Sequence, residues 1–197
     1  QSPASIDRVL MKELLHHLPA ESLTPFFTGL CTALRPGGVL IAQEPCAGGY
    51  LLMGVLAKML TGPIGAGLTD EQKTKAGHMA DTMAAYNRCD LDKTEWEDKH
   101  IFRPELIHEW AQSCGLIARH FANHEFEDFA QEPFKEEYLP MRHFMEAYLN
   151  YCMGFGAEDA AAMMAPLAPY CDYLEQAAAG TREPYLMSVF VLQKPRT

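Results

Sequence analysis

The sequence predicts an α/β fold, in which helices alternate with the strands of one sheet. Strand candidates recur at residues 6–11, 39–42, 116–126 and 185–192, and the second and the last are apolar runs typical of buried strands. Segments with helical apolar spacing separate these runs, and a Pro-Gly-Gly turn leads into the second of them. A chain of 197 residues is long enough to bury a sizeable core, so residues 1–197 are expected to form a single domain.

The first helix and the turn after it are predicted from apolar spacing and from residues that end helices. One helical face collects Leu23, Phe26, Phe27, Leu30 and Leu34. Ser22 is expected to cap the start of this helix. Pro36 cannot continue it, and Gly37 and Gly38 are expected to take the positive φ values of a tight reversal.

Two helical insertions, at residues 50–100 and 134–180, are predicted between the strands. The first contains the capping-box pattern Thr-Asp-Glu-Gln, which begins at Thr69 and opens a helix over residues 70–86. The second is rich in methionine and aromatic residues, which favour core or dimer contacts over a substrate lid. These residues are Met141, Phe144, Met145, Tyr148, Tyr151 and Met153.

Composition argues against several classes of function. A formal charge of -10 opposes binding to phosphate backbones, so no nucleic-acid partner is expected. The apolar helix within residues 45–68 covers only about three turns, whereas a bilayer needs roughly 20 apolar residues, so no membrane span is expected. No secretory signal pattern is visible, and the six cysteines form no C-x-x-C pair, which favours core thiols of a cytoplasmic protein. The cysteines are Cys31, Cys46, Cys89, Cys114, Cys152 and Cys171.

Four motifs follow one another in an order that resembles class I S-adenosylmethionine-dependent methyltransferases. Residues 7–18 resemble the fourth strand of that family and the His-His-Leu knuckle after it. Leu-Arg-Pro-Gly-Gly at 34–38 resembles its turn into the fifth strand. Residues 102–106 and 113–116 resemble its penultimate helix and the turn that follows, and residues 189–195 its last strand. The resemblance implies a partial Rossmann-like methyltransferase sheet, equivalent to strands four to seven, with two helical insertions.

The first three strands of that family have no counterpart in the sequence. Its glycine-rich cofactor loop is also absent, because the glycines at 48–49 and 62–67 do not join a strand to a helix. The resemblance therefore implies an open sheet edge along the first strand, and such edges are normally paired or covered. We expect either a missing N-terminal segment or a second copy of the chain in a homo-oligomer to cover it.

The resemblance also implies a site for S-adenosylmethionine, provided that the site is completed. Met11, Lys12 and Glu13 follow the first strand and would line the methionine end of the cofactor. Lys12 would either point away from the sulfonium or reach the cofactor carboxylate, because two cations repel each other. Glu44 and Tyr50, just beyond the second strand, are candidates for the acceptor pocket, although Glu44 is equally compatible with a solvated loop.

The histidine pair His16 and His17 has two interpretations. A neutral imidazole can accept a proton from the methyl acceptor, and His17 is the preferred base. Alternatively, both rings shape the turn. Glu13 and this pair lack the H-E-x-x-H order of zinc enzymes, so no metal is expected. His120 and His124 share one strand face but are too far apart to bind one metal.

Three functions are compatible with these observations. The leading one is a methyltransferase for a small-molecule acceptor, present as its C-terminal portion, which holds the acceptor within about 3–3.5 Å of the methyl carbon. The second is a non-catalytic methyltransferase-like binding or structural module that lacks a complete cofactor site. The third is a different α/β enzyme such as a hydrolase, which the absence of a G-x-S-x-G motif disfavours.

Overall fold

The computed structural model describes residues 4–86, 88, 90–96, 98–122, 141–178 and 186–196. The chain divides into two compact units. The sheet unit consists of Gln1–Ala47, Asp92–Glu137 and Met187–Thr197, and the helical unit of Gly48–Leu91 and Tyr138–Leu186. The assignment of all 197 residues to a single domain remains a prediction.

The elements of the two units alternate along the chain. In order they are β1 (Ile6–Lys12), a short 3-10 helix that we name the histidine turn (Leu15–His17), α1 (Ala20–Ala33), β2 (Leu34–Pro45), α2 (Ala47–Leu60), a 3-10 turn (Pro63–Gly65), α3 (Asp70–Tyr86), α4 (Pro104–Ser113), β3 (Ile117–Ala122), α5 (Met141–Ala147), a π-helical turn (Tyr148–Cys152), α6 (Ala157–Met164), a 3-10 turn (Ala165–Leu167), α7 (Ala168–Ala178) and β4 (Met187–Gln193).

The four strands form one sheet in the order β1-β2-β4-β3, which confirms the predicted α/β fold. β1 and β2 are parallel, while β4 is antiparallel to both β2 and β3. The interior position of β4 agrees with its nearly continuous apolar sequence, since both faces of such a strand are buried. The third strand is shorter than predicted, and residues 123–126 of that prediction lie outside the described residues.

Helix α1 begins and ends earlier than predicted. Its N-cap is Pro19, and Ser22 lies in the first turn, where its amide donates to the Pro19 carbonyl. The strand after it begins at Leu34, because the predicted turn lies inside β2 as an irregularity. There the pairing with β1 shifts between the Ile6–Leu34 and Arg8–Val39 partners.

The two glycines of this irregularity have different roles. Gly37 has the expected positive φ of 79°. Gly38 does not have a positive φ, and the prediction for it is wrong. It is required for steric reasons instead, because a Cβ there would lie 2.9 Å from the carbonyl oxygens of both Arg35 and Ile6.

The core of the sheet unit lies between the sheet and the helices α1 and α4. Its aromatic centre contains Phe27, Phe102 and Trp110, with ring centroids of Phe27 and Trp110 5.6 Å apart. Buried aliphatic side chains from both sides surround these rings, including Leu15, Leu23, Leu34, Leu40, Ile107, Leu116 and Leu192. Packing of this core fixes β1 and β2 and hence the loops at their carboxyl ends.

The helical unit confirms the capping box and shows which side of α2 is buried. Thr69 and Gln72 exchange hydrogen bonds of 3.0 and 3.2 Å between their amides and side chains at the start of α3. Leu51 and Val55 of α2 are about half exposed. Helix α2 instead packs closely at Gly54, where a Cβ would lie 2.8 Å from the Cβ of Met83.

The methionine and aromatic residues of the second insertion divide between core and surface. Met141, Met145 and Tyr148 are buried, as a core role predicts, whereas Tyr151 is 81% exposed. Across the described ranges, no helix combines the length and apolar character needed to cross a bilayer.

The cysteines follow the core prediction only in part. Cys46 and Cys171 are buried, but Cys152 is exposed. Cys89 lies outside the described residues. The thiols therefore differ in access to solvent, which makes them probes of the fold.

Candidate functional site

The candidate site lies where the parallel strands β1 and β2 reach their carboxyl ends. Lys12 pairs with Gln43 at the end of the β1–β2 ladder, and the amide of Glu13 extends it with a 2.8 Å hydrogen bond to the Gln43 carbonyl. Glu13 then has a φ of 52°, a left-handed conformation that is uncommon for residues other than glycine. This reversal leads the chain directly into the histidine turn.

Glu44, near the end of β2, holds the histidine turn in place. Its side chain is fully buried, with 0% exposure. Oε1 accepts hydrogen bonds from the amides of Leu14 and Leu15 at 3.1 and 2.8 Å. Oε2 accepts from the amide of His16 at 3.3 Å and lies 2.8 Å from its Nδ1. The carboxylate thus satisfies the free N–H groups at the start of the 3-10 helix.

His16 lies between two carboxylates. Its Nδ1 faces Glu44, and its Nε2 lies 3.3 Å from Oδ1 of Asp98. Burial lowers the pKa of this imidazole, but the hydrogen bonds and negative charges of Asp98 and Glu44 outweigh burial and raise the pKa to about 9. Because a carboxylate oxygen only accepts, Nδ1 donates to Glu44 and the orientation of the ring is set.

The segment with Asp98 is attached to the histidine turn through the backbone. The carbonyl of His16 accepts hydrogen bonds from the amides of Lys99 at 2.8 Å and His100 at 3.2 Å. The ammonium of Lys99 donates to the carbonyls of Thr94 and Trp96. Residues 98–100 therefore belong to the sheet unit and not, as predicted, to a helical insertion.

His17 is the more accessible histidine of the pair. Its side chain is 36% exposed, and its Nδ1 lies 3.5 Å from Oδ1 of Asp98. The ring centroids of His16 and His17 are 4.0 Å apart. The two interpretations of the pair thus apply to different residues, since His16 shapes the turn while the role of His17 as a base remains a prediction.

The three predicted cofactor residues occupy different environments. Met11 is buried in the apolar core of the sheet unit, whereas Lys12 and Glu13 are exposed at the end of β1. The structure therefore places the two charged residues at the surface of the site and Met11 beneath it. Their role in cofactor binding remains a prediction.

The two predicted acceptor residues belong to different units. Glu44 lies in the sheet unit, and its burial rules out the solvated-loop alternative. Tyr50 lies in the helical unit, where the ring centroids of Tyr86, Phe144 and Tyr148 lie within 6.4 Å of its own. An acceptor role for either residue remains a prediction.

Two residues of the site were not identified from the sequence in the roles they have. Asp98 was missed altogether, and Glu44 was considered only as an acceptor contact or loop residue. Both contact His16 across long stretches of chain, and no local pattern indicates such a contact. The sequence did contain a weak indication of the role of Glu44, since a single acidic residue at the end of an apolar strand often faces the loops that gather there.

His120, another histidine singled out in the sequence, lies apart from this site. Its Nδ1 lies 3.2 Å from Nε2 of His108 on α4, and both rings contact Phe190. His124, its predicted neighbour on the strand face, lies outside the described residues. The pair therefore joins α4 to β3 within the sheet unit.

Comparison with known proteins gives similarity in structure only. No protein-family model matches the chain, and no curated protein matches it. A mycolic acid cyclopropane synthase complexed with SAH and CTAB is 18% identical, with a TM-score of 0.44 over 98% of this chain and 57% of that chain. A SAM-dependent methyltransferase from Archaeoglobus fulgidus is 9% identical, with a TM-score of 0.45 over 98% and 61%.

A cyclopropane synthase from Mycobacterium tuberculosis is 15% identical, with a TM-score of 0.39 over 97% of this chain and 56% of that chain. The chain therefore spans less than two thirds of the length of each of these three proteins.

Proposed function

We propose that the chain is the C-terminal portion of an S-adenosylmethionine-dependent methyltransferase that acts on a small molecule. The observation behind this proposal is the end of β1, where exposed Lys12 and Glu13 are followed by a histidine turn attached to β2. Ligands of open α/β sheets bind at the carboxyl ends of parallel strands, and this is such an end. The four sequence motifs support the same assignment.

The two exposed charges suit the methionine end of the cofactor. That end has an ammonium group, which the carboxylate of Glu13 would bind, and a carboxylate, which Lys12 would bind. Lys12 must then lie away from the sulfonium, since a cation close to it would be repelled. Met11 would contribute only to the floor of the site, because it is buried.

Transfer would proceed by in-line attack of an acceptor oxygen, nitrogen or carbon on the methyl carbon. The cofactor would supply the methyl group from its sulfonium and would leave as the neutral thioether S-adenosylhomocysteine. His17 would accept the acceptor's proton. Glu44 acts as a positioning residue in this scheme, since its carboxylate is buried against the histidine turn. Tyr50 stays a candidate for the acceptor pocket.

Strand β1 forms an edge of the sheet, and this edge leads to a second proposal. Among the described residues β1 has a single sheet neighbour, β2, and Leu10 on it is 66% exposed. We propose that a further strand covers this edge, either from an N-terminal segment or from a second copy of the chain. A cytoplasmic location is part of the same proposal.

One observation favours a non-catalytic module as the second candidate. Gly48 and Gly49 lie in the first turn of α2, directly after β2, so the prediction that they do not join a strand to a helix is wrong. In the described part of the chain, however, no strand leads into a helix through the G-x-G-x-x-G pattern typical of a nucleotide site. A module of this kind would keep the sheet and the histidine turn without binding the cofactor.

Isothermal titration with S-adenosylhomocysteine tests the proposal. The wild-type chain is expected to give saturable heat, and Lys12→Gln and Glu13→Gln are each expected to weaken binding by about tenfold or more, because each removes one charged hydrogen bond. Arg8→Gln is the matched control, since it removes an exposed cation from the same strand. A folded wild-type sample without saturable heat would show that this chain does not bind the cofactor by itself, which leaves either the non-catalytic module or a portion whose cofactor site is completed by another segment.

A further inference from the structure

We propose that His16, His17 and Asp98 form a binding site for a divalent transition metal such as zinc. Each of the three side chains offers one ligand atom, and these atoms lie within 4.8 Å of one another. Two imidazoles with one carboxylate are a ligand set suited to zinc, and three protein ligands leave a fourth position open. The sequence alone favoured no metal, because Glu13 and the histidine pair lack the H-E-x-x-H order and nothing indicated Asp98 as a partner.

Both distances from Asp98 to the histidines match the spacing of ligand atoms around a metal. Oδ1 of Asp98 lies 3.3 Å from Nε2 of His16 and 3.5 Å from Nδ1 of His17. Bonds of about 2.0–2.1 Å to a tetrahedral zinc place neighbouring ligand atoms about 3.3–3.4 Å apart.

Glu44 orients the deepest ligand toward the metal position. Nδ1 of His16 donates to Oε2 of Glu44 at 2.8 Å, which leaves Nε2 as the atom that faces Asp98. A histidine whose other ring nitrogen donates to a carboxylate is the usual arrangement in metal sites, since it sets the tautomer and raises the basicity of the ligand nitrogen. The Glu44 carboxylate is itself held by three backbone amides.

The backbone brings the ligands together before any metal binds. The carbonyl of His16 accepts hydrogen bonds from the amides of Lys99 and His100, next to Asp98. The ammonium of Lys99 is bound to carbonyls of residues 94 and 96, so this cation is held by its own loop. His17 and Asp98 are both partly exposed, which gives a metal ion access from solvent.

The charge balance also favours a cation at this position. Glu44 is buried and Asp98 is about three-quarters buried, so two carboxylates flank His16 away from bulk water. A divalent ion that displaces the Nε2 proton of His16 would balance both charges. The metal would join the histidine turn to residues 98–100 and leave one position for water or another ligand. It would also occupy the single ring lone pair of a neutral His17, so His17 could act as the proposed base only in the metal-free chain.

Titration of the metal-free chain with zinc chloride tests this site without any methyl donor. The wild-type protein is expected to bind one zinc ion and to gain thermal stability as it does so. His17→Gln and Asp98→Asn are each expected to weaken zinc binding by about tenfold or more. His143→Gln, which alters an exposed histidine on α5, is the matched control and should bind zinc as the wild type does.

Circular dichroism checks that each variant is folded. His17→Gln is the substitution least expected to disturb the fold, because the His17 side chain is partly exposed. Absence of saturable zinc binding by folded wild-type protein would overturn the proposal. Equal zinc binding by wild type, His17→Gln and Asp98→Asn would also overturn it, because the ion would then bind elsewhere. Neither result depends on cofactor binding, so this test and that of the proposed function fail independently.

Discussion

At the scale of single residues, the histidine turn depends on the charge and burial of Glu44. Among the described acidic residues, Glu44 is the one whose side chain is buried. Its two oxygens accept from three amides and face one imidazole, so every direction around the carboxylate is occupied by a donor. Burying a carboxylate costs free energy, and removing its charge leaves the surrounding N–H groups without a matching acceptor.

Glu44→Gln is therefore expected to lower the free energy of unfolding by about 3 kcal/mol, because the amide group turns a donor toward other donors. Urea unfolding measures this change. Glu109→Gln removes an exposed carboxylate from α4 and should change stability by less than about 0.5 kcal/mol. Equal stabilities of the two variants would show that the buried carboxylate does not hold the turn.

The reactivity of the cysteines tests the burial of single side chains in both units. Burial raises the pKa of the Cys46 thiol to about 12 and that of the Cys171 thiol to about 11. Since the thiolate is the reactive form, both should resist iodoacetamide at pH 8 while exposed Cys152 is alkylated. Peptide mapping by mass spectrometry measures the labelling, and rapid alkylation of Cys46 in the native protein would contradict its placement.

At the scale of elements, the junction between β1 and β2 depends on a glycine without a side chain. Gly38→Ala is expected to destabilise the protein by about 1–3 kcal/mol, because the new Cβ would lie 2.9 Å from two backbone carbonyl oxygens. Gly29→Ala, inside α1 with open space around it, should instead stabilise by about 0.5–1 kcal/mol. Thermal unfolding of both variants measures the contrast, and a neutral Gly38→Ala would mean that β2 lies further from β1 there.

Helices whose start and end are determined by residues close in sequence were predicted well. Helix α3 begins at its capping box and ends at Tyr86 as predicted, because both signals are local. The buried side of α2 was not predicted, since that helix is apolar on most of its surface and periodicity could not select one side. The start of α1 was missed because Ser22 and Pro19 both suit a helix start and the chain used the earlier one.

At the scale of the whole molecule, the sequence predicted the sheet but not the contacts of the site. The order of apolar strands and helices determined the α/β class, because burial on both faces has a clear sequence pattern. The contacts of His16 with Glu44 and Asp98 join segments that are far apart in the chain, and a single sequence does not reveal such pairs. The histidine pair was identified correctly as a feature of interest, but its partners were found only in the structure.

Cofactor binding at this end of the sheet is tested most directly by a two-dimensional ¹H–¹⁵N NMR spectrum of the chain titrated with S-adenosylhomocysteine. The largest shift changes are expected on the amides of residues 11–18, 43, 44 and 46, around the carboxyl ends of β1 and β2. A folded spectrum that does not change, or one whose changes are confined to the helical unit, would contradict the proposal that this end of the sheet binds the cofactor.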